Sequence, residues 1–298
     1  MLYNKLGLSN IYLSEVGFGC MSLNVKDQSD SKYLIDKAID GGINYFDTAD
    51  LYDFGENEKL LGTAVKQKRE KVIIATKVGN KWNADKSAWT WDVSKGYINS
   101  AVDDSLARLQ TDYIDLYQIH GGTIDDNFEE AVETLENLVS IGKIRSYGIS
   151  SIRPNVFLRF ANESNIVSNM MQFSLLDTRP EGYLNTLNEA NVSTLARGGF
   201  AQGLLFGKPV REYLDHSIAQ VQYISSRVTQ LSNQLGVLPE SIALAYLLKY
   251  QRVTSALVGI RTEQHLVKVL KAVDQLSNHE IDFDSLEIPK ISYQSHIK

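Results

Sequence analysis

The sequence predicts an α/β protein folded as a closed (β/α)8, or TIM, barrel. Short apolar, β-branched or aromatic runs recur eight times along the chain, helical periodicity fills most intervals between them, and no Pro/Gly/Ser-rich linker divides it. Such alternation forces parallel strands with crossover helices. Eight units in 298 residues suit one barrel, a single domain spanning residues 1–298, better than two open sheets.

In chain order, residues around Gly7-Leu8-Ser9-Asn10 read as the turn of a small β-hairpin that caps the bottom, N-terminal end of the barrel. The first strand is EVGFGC (15–20), followed by a helical stripe at Leu34, Ile35, Ala38 and Ile39. INYFDTA (43–49) and VIIATKV (72–78) are the second and third strands. A helix bearing Ile98, Ala101, Val102, Ser105, Leu106 and Leu109 on one face leads to the fourth, YIDLYQIH (113–120). Phe128, Ala131, Val132, Leu135 and Leu138 mark the next helix. Strands five to eight are IRSYGISS (144–151), IVSNMMQFS (166–174), VSTLARG (192–198) and SALVGI (255–260), with a last stripe at Leu266, Val269, Leu270 and Val273. A Rossmann reading of GFGCMS (17–22) is weaker. Ser22 stands where the third glycine belongs, and a polar stretch intervenes before the next helix.

Composition narrows the function. With 43% hydrophobic and 22% charged residues the chain can bury a large core, and a net charge of −6 argues against nucleic acid as a partner. The single cysteine, Cys20, cannot form an internal disulfide, and the histidines at 120, 216, 265, 279 and 296 show no metal-ligand spacing, so no metal is expected. The N-terminus lacks a long apolar signal region and no segment approaches the ~18 apolar residues of a membrane span, so a cytoplasmic protein without a membrane partner is expected.

In a barrel of this kind the active face is built at the C-terminal ends of the strands. Asp47 and Tyr52 follow the second strand, Lys77 ends the third and His120 ends the fourth. Taken singly, Asp47 can cap a turn, Tyr52 pack, Lys77 snorkel and His120 serve as a hydrogen-bonded structural group. Taken together, they lie at one end of three consecutive strands, where side chains converge. An ammonium beside a phenol favours its phenolate, a carboxylate holds the lysine charged and oriented, and an imidazole can hydrogen-bond the oxygen being protonated. A tyrosine acid so supported suits carbonyl reduction, in which hydride reaches carbon while a proton reaches oxygen.

These residues lie in motifs that resemble the aldo-keto reductase family: GGINYFDTADLYDFGENEKLLG, ATK, DYIDLYQIH, GKIRSYGISS, AQGLL and GIRT, in the family's order and over nearly the whole chain. The resemblance implies an NADPH-dependent oxidoreductase whose Asp, Tyr, Lys and His tetrad falls on Asp47, Tyr52, Lys77 and His120. It also implies a nicotinamide over the barrel mouth, near Gly19, Cys20, Met21 and Asp47, its carboxamide held after the fifth and sixth strands. Ser150 and Ser151 fill the fifth-strand pair, the second in place of the usual Asn. The sixth strand has Met170-Met171-Gln172-Phe173 where relatives have Gln-x-x-Tyr. Gln172, on the same strand face as Met170, is the candidate replacement, while Phe173 stacks or packs.

After the seventh strand, Arg197, Gly198, Gly199, Phe200, Ala201, Gln202, Gly203 and Leu204 resemble the family's pyrophosphate-covering loop, at a recurrent phosphate position of barrels. Gly259, Arg261 and Thr262 open the last helix, and a guanidinium at a helix N-terminus suits the 2′-phosphate of NADPH. His265 and Val269 stand where relatives have Gln and Asn, and Val269 cannot hydrogen-bond adenine. Trp82, Trp89 and Trp91, with Phe54, are expected either to line an apolar substrate pocket or to pin the loop after the third strand. Cys20 reads as a strand-end filler, with a redox-sensitive thiol as the lesser alternative. The expected activity is NADPH-dependent reduction of a small-molecule carbonyl, an aldehyde or ketone. The alternative is a nucleotide-sensing subunit resembling the β subunits of potassium channels, disfavoured by the expected absence of an appended interaction segment. A Schiff-base role for Lys77 leaves Tyr52 and the phosphate loop to coincidence.

Overall fold

The computed structural model describes residues 1–248, 253–276, 281–283, 286–294 and 297. His279 and His296 lie outside the described residues. A hairpin of β1 (Tyr3–Lys5) and β2 (Tyr12–Ser14) precedes the first barrel strand, β3 (Val16–Gly19). Then come α1 (Gln28–Asp40), β4 (Tyr45–Asp47), α2 (Glu56–Val65), β5 (Ile73–Val78), and an outlying hairpin of β6 (Asn80–Trp82) and β7 (Trp89–Trp91). The order continues with α3 (Lys95–Leu109), β8 (Ile114–Ile119), α4 (Phe128–Ser140), β9 (Ile144–Ile149), α5 (Pro154–Glu163), β10 (Ser168–Gln172), α6 (Leu184–Glu189) and β11 (Ser193–Arg197). The chain then runs through α7 (Ile218–Leu235), α8 (Pro239–Leu248), β12 (Val253–Gly259) and α9 (Glu263–Leu276). Strands β3, β4, β5, β8, β9, β10, β11 and β12 close into a parallel barrel in that cyclic order. These are the eight strands read from the sequence.

Two apolar layers hold the barrel. Outside it, helix stripes pack on the strands: Leu34, Ile35 and Ala38 of α1 and Ile98, Ala101 and Val102 of α3 are buried, as their periodicity requires. Inside it, Tyr45, Ala75, Leu116, Met170, Leu195 and Leu257 form a separate cluster with Leu6, Ile11 and Leu13 of the N-terminal hairpin. The hairpin thus plugs the bottom of the barrel with its own side chains, the capping role expected of it. At the same end Asp115, fully buried, meets Arg69 at 2.7 Å and Arg145 at 2.9 Å, and both guanidinium groups lie on the Tyr113 ring, at 4.0 and 3.9 Å.

Candidate active site

Side chains on a strand alternate between faces, so the residue two positions after an inward one is also inward and one layer higher. Two residues beyond Tyr45, Ala75, Leu116, Met170, Leu195 and Leu257 stand Asp47, Lys77, Gln118, Gln172, Arg197 and Gly259. An apolar layer is followed by a polar one at the C-terminal mouth, and this step builds the site.

Lys77 Nζ donates to Asp47 Oδ1 at 2.5 Å and to the Thr48 carbonyl at 2.6 Å, with both side chains buried. Gln118 Nε2 donates to Asp47 Oδ2 at 3.3 Å. Tyr52, half-buried on the loop after β4, places its ring centroid 5.2 Å from Lys77 Nζ and meets the His120 ring edge-on at 6.0 Å. All four predicted catalytic residues therefore line one cavity, of about 1010 Å³. The loop carrying Tyr52 is strained. Asp53 and Phe54 both adopt left-handed backbone, φ 48° and 57°, ahead of Gly55 at φ 84°, a conformation costly outside glycine and typical of functional turns.

Burial pushes the Asp47 carboxyl up, while the Lys77 ammonium and the Gln118 amide oppose that shift. Each carboxylate oxygen faces a donor and neither finds an acceptor for a proton, so the ionised form fits the geometry. Burial works against the Lys77 ammonium, but its charge interactions and hydrogen bonds with Asp47 and Tyr52 together outweigh it and hold the lysine protonated. His120 is pushed down to about 3 by burial and by the positive charges of Lys77 and Arg197, so its imidazole is neutral at ordinary pH. Its Nδ1 is buried with no partner among the described residues.

The remaining predicted residues divide between wall and core. Gly19, Met21, Ser150, Ser151, Gln172, Arg197, Gly198, Gln202 and Gly259 line the cavity. Gln172 is held on two sides, its Oε1 accepting from Arg197 Nη1 at 3.2 Å and its Nε2 donating to the Tyr213 hydroxyl at 3.2 Å. After β11 the backbone turns left-handed at Gly198 and again at Ala201, Gln202 and Gly203, which keeps the loop tight against the mouth. Gly199, Phe200, Ala201, Gly203 and Leu204 support that turn from outside the cavity wall, with Ala201 and Leu204 in the core and Phe200 edge-on to Phe206 at 4.9 Å. Phe173 packs in the core against Tyr246, on the opposite strand face from Gln172.

Cys20 is fully buried among the core side chains and burial pushes its thiol up, so it is a filler rather than a reactive group. Arg261, Thr262 and His265 are exposed at the start of α9, beyond Gly259, and the Thr262 hydroxyl accepts the His265 N–H at 3.2 Å. Val269 is core, 1% exposed, so an asparagine there would bury an amide rather than face a ligand. Only Trp91 of the tryptophans lines the cavity. It lies over Gly79 and Gly121, where an added Cβ would come within 2.6 and 3.3 Å of its ring, and its Nε1 donates to Asp126 Oδ1 at 2.7 Å. At the rim the Phe54 ring instead lies tilted against Trp82 at 4.5 Å, and Trp82 meets Trp89 edge-on at 5.4 Å, because the β6–β7 hairpin pairs Trp82 with Trp89.

Sequence reasoning passed over Gln118, and also Arg153, Arg179 and Tyr213, which line the cavity. The strand phase would have found Gln118, two residues before His120 on the same face. The segment ending the chain was silent as well. Ile291 N donates to Thr178 Oγ1 at 2.9 Å, and this anchors a strap that brings Ser292, Tyr293 and Gln294 to the mouth.

A sequence model of the Aldo/keto reductase family matches residues 15–286. The chain belongs to this family. It is 44% identical over 306 residues, 99% of each chain, to a Bacillus subtilis protein described as uncharacterized oxidoreductase YqkF. The holo form of the aldo-keto reductase AKR11C1 from Bacillus halodurans superposes over all of both chains with a TM-score of 0.93 and 41% identity, and its apo form with 0.84 and 37%. The glycerol dehydrogenase AKR11B4 of Gluconobacter oxydans, 25% identical, superposes with a TM-score of 0.83 over 96% of this chain and 92% of that one. Family and fold together make the protein an oxidoreductase acting on carbonyl chemistry. No described helix is long and apolar enough to cross a membrane.

Proposed function

We propose that the protein reduces an aldehyde or ketone to the alcohol, with NADPH as hydride source and Tyr52 as the proton donor. The observation that carries this reading is the buried Asp47–Lys77 pair at 2.5 Å, set below the Tyr52 ring and beside His120 in one cavity wall. The fixed charge of Lys77 lies where the phenolate forms as the proton leaves, and a charge fixed in advance costs no reorganisation during the reaction. Asp47 and the Thr48 carbonyl hold that ammonium in place, and Gln118 braces Asp47. The neutral imidazole of His120 can donate one N–H to the carbonyl oxygen without competing as an acid.

The wall suits a dinucleotide. Ser150 and Gln172 offer the donors and acceptors that recognise a carboxamide, and Arg197 supplies a positive charge beside the backbone of Gly198. At Gly198 a Cβ would come within 3.2 Å of Gln172, and at Gly259 within 2.7 Å of Ser22 Oγ, so both glycines keep the backbone open to a ligand. Arg261 and Thr262, at the α9 N-terminus, are the residues suited to the 2′-phosphate. When bound, the reduced nicotinamide supplies the hydride.

Tyr52→Phe tests the assignment, because the ring still packs and only the proton donor is removed. Fluorescence titration is expected to show NADPH affinity close to wild type, while kcat falls by about 10²- to 10⁴-fold. A variant that keeps near-normal kcat, with a deuteride isotope effect showing hydride transfer to be rate-limiting, removes Tyr52 from the role. Tight NADPH binding by wild type without turnover of any carbonyl would instead favour nucleotide sensing.

A further inference from the structure

The cavity is positively charged although the chain is acidic overall. Lys77, Arg153, Arg179 and Arg197 line it against Asp47 and Asp215. Most of this charge is accounted for. Lys77 pairs with Asp47, Arg179 makes a two-pronged pair with Asp177 at 2.6 and 2.7 Å, and Arg197 is bonded to Gln172 on the β11 side, beside the loop suited to the cofactor. Arg153 is left. Its Nη1 donates to the Gly122 carbonyl, and no carboxylate lies within ion-pair distance of it among the described residues. The acid nearby, Asp126, lies outside the cavity wall and is already engaged by the Thr123 N–H and hydroxyl and by Trp91 Nε1.

Position separates Arg153 from the cofactor's phosphates. In the barrel's cyclic order the loops after β11 and β12 face those after β5 and β8 across the mouth, with β9 next to β8. Arg153 follows β9 and lines the cavity with His120, Gly121 and Thr123, whereas Gly198 follows β11, two strands away, and Gly259 and Arg261 end or follow β12, three strands away. A half-buried guanidinium with four N–H donors left over, anchored by its fifth, is preorganised for an anion. The neighbouring cations are engaged, Lys77 by Asp47 and Arg179 by Asp177, so Arg153 offers a single guanidinium, which matches a monoanionic carboxylate better than a dianionic phosphate.

We infer that Arg153 is a substrate-specificity residue that receives a carboxylate, so that the carbonyls preferred are oxo-acids and semialdehyde acids, with the carbonyl at Tyr52 and His120 and the acid group at Arg153. The inference rests on the reductase reading above, and the chemical step is unchanged: hydride adds to carbon, the C=O π bond opens onto oxygen, and Tyr52 supplies the proton.

The test compares kcat/KM for a series of ω-oxo acids of increasing length with their methyl esters, in wild type, Arg153→Gln and Arg153→Lys. Glutamine can still donate to the Gly122 carbonyl, so the loop tether survives while the charge is lost. Wild type is expected to prefer the acid by about 10- to 100-fold at one chain length, Arg153→Gln to bring that ratio near one, and Arg153→Lys to keep part of it. A wild-type ratio near one, a ratio unchanged in Arg153→Gln, or a preference confined to aldehyde phosphates overturns the inference. Calorimetric titration of hexanoate against methyl hexanoate needs no turnover. Hexanoate binding that is lost in Arg153→Gln upholds the anion site even if no carbonyl is reduced, in which case only the reductase reading fails, and equal binding to both proteins overturns the site.

Discussion

Removing the ammonium from beneath Tyr52 exposes how the site is held together. In Lys77→Met the Asp47 carboxylate stays where it is, 2% exposed, keeping only the 3.3 Å bond from Gln118 in place of its 2.5 Å ionic partner. Breaking a buried ion pair from one side costs ~3–5 kcal/mol, because the remaining charge is neither hydrated nor paired. The stranded carboxyl escapes part of that cost by taking up a proton, so the penalty depends on pH. Its folded pKa rises above the unfolded value of ~3.9, which means the folded state binds a proton that the unfolded state has released. Stability of the variant therefore falls as pH rises from about 4 toward the new folded pKa, and the full cost is present only above it.

The double variant Lys77→Met/Asp47→Asn removes both charges and leaves the Gln118 donor an amide oxygen to meet. Its stability is expected within ~1–2 kcal/mol of wild type, well short of the sum of the two single costs, with a coupling energy of ~0.5–3 kcal/mol or more. Turnover stays lost in Lys77→Met and in the double variant, since the charge that supports proton delivery is absent from both. Equilibrium urea unfolding followed by tryptophan fluorescence at pH 5 and pH 8 measures the stabilities. The reasoning is refuted if Lys77→Met costs under ~1 kcal/mol at pH 8, if its cost does not grow with pH, or if the double variant costs the sum of the singles, as an exposed pair would allow.

Two further outcomes follow from the same geometry. His120, held neutral with a pKa pushed down to about 3, gives kcat no inflection between about pH 5 and 8, and the folded state refuses a proton that the unfolded histidine accepts below ~6.5, so this residue lowers stability as pH falls from there toward 3. A break in log kcat near pH 6.5 that disappears in His120→Gln would contradict this. Arg261→Ala is expected to weaken NADPH by ~10- to 150-fold and leave NADH unchanged, read by fluorescence titration of both nucleotides, whereas a variant that keeps the wild-type preference would mean that the 2′-phosphate is held elsewhere.

Much of this was legible because the chemistry follows the strand period. The eight strands and the hairpin plug could be read from apolar runs, and Asp47, Lys77 and His120 from their places at strand ends. What stayed hidden depends on direction and long-range contact. Trp82, Trp89 and Trp91 look equivalent in sequence, yet a two-stranded pairing turns the first two to the rim and leaves the third over Gly79 and Gly121. Val269 stands on a helix whose apolar stripe already predicted burial, and the motif comparison, which placed it opposite adenine, pointed the other way. Arg153 precedes a helix-starting proline and gave no local signal at all, since its meaning lies in having no carboxylate within ion-pair distance among the described residues.

Asp47 and Asp115 show why strand position alone does not identify a site. Both are buried acids in neighbouring regions of one barrel, and both face cations. Asp115 lies on the outward phase of β8, beside inward Leu116, where two arginines and the Ile74 N–H saturate its oxygens and leave nothing for a ligand to do. Asp47 lies on the inward phase, one layer above the apolar plug, and the lysine it orients opens onto a cavity shared with a half-buried tyrosine. A saturated acid at the bottom stabilises the fold, whereas an acid whose partner has a free side at the mouth can serve a reaction. The strand period therefore divides one set of buried charges into structure below and chemistry above.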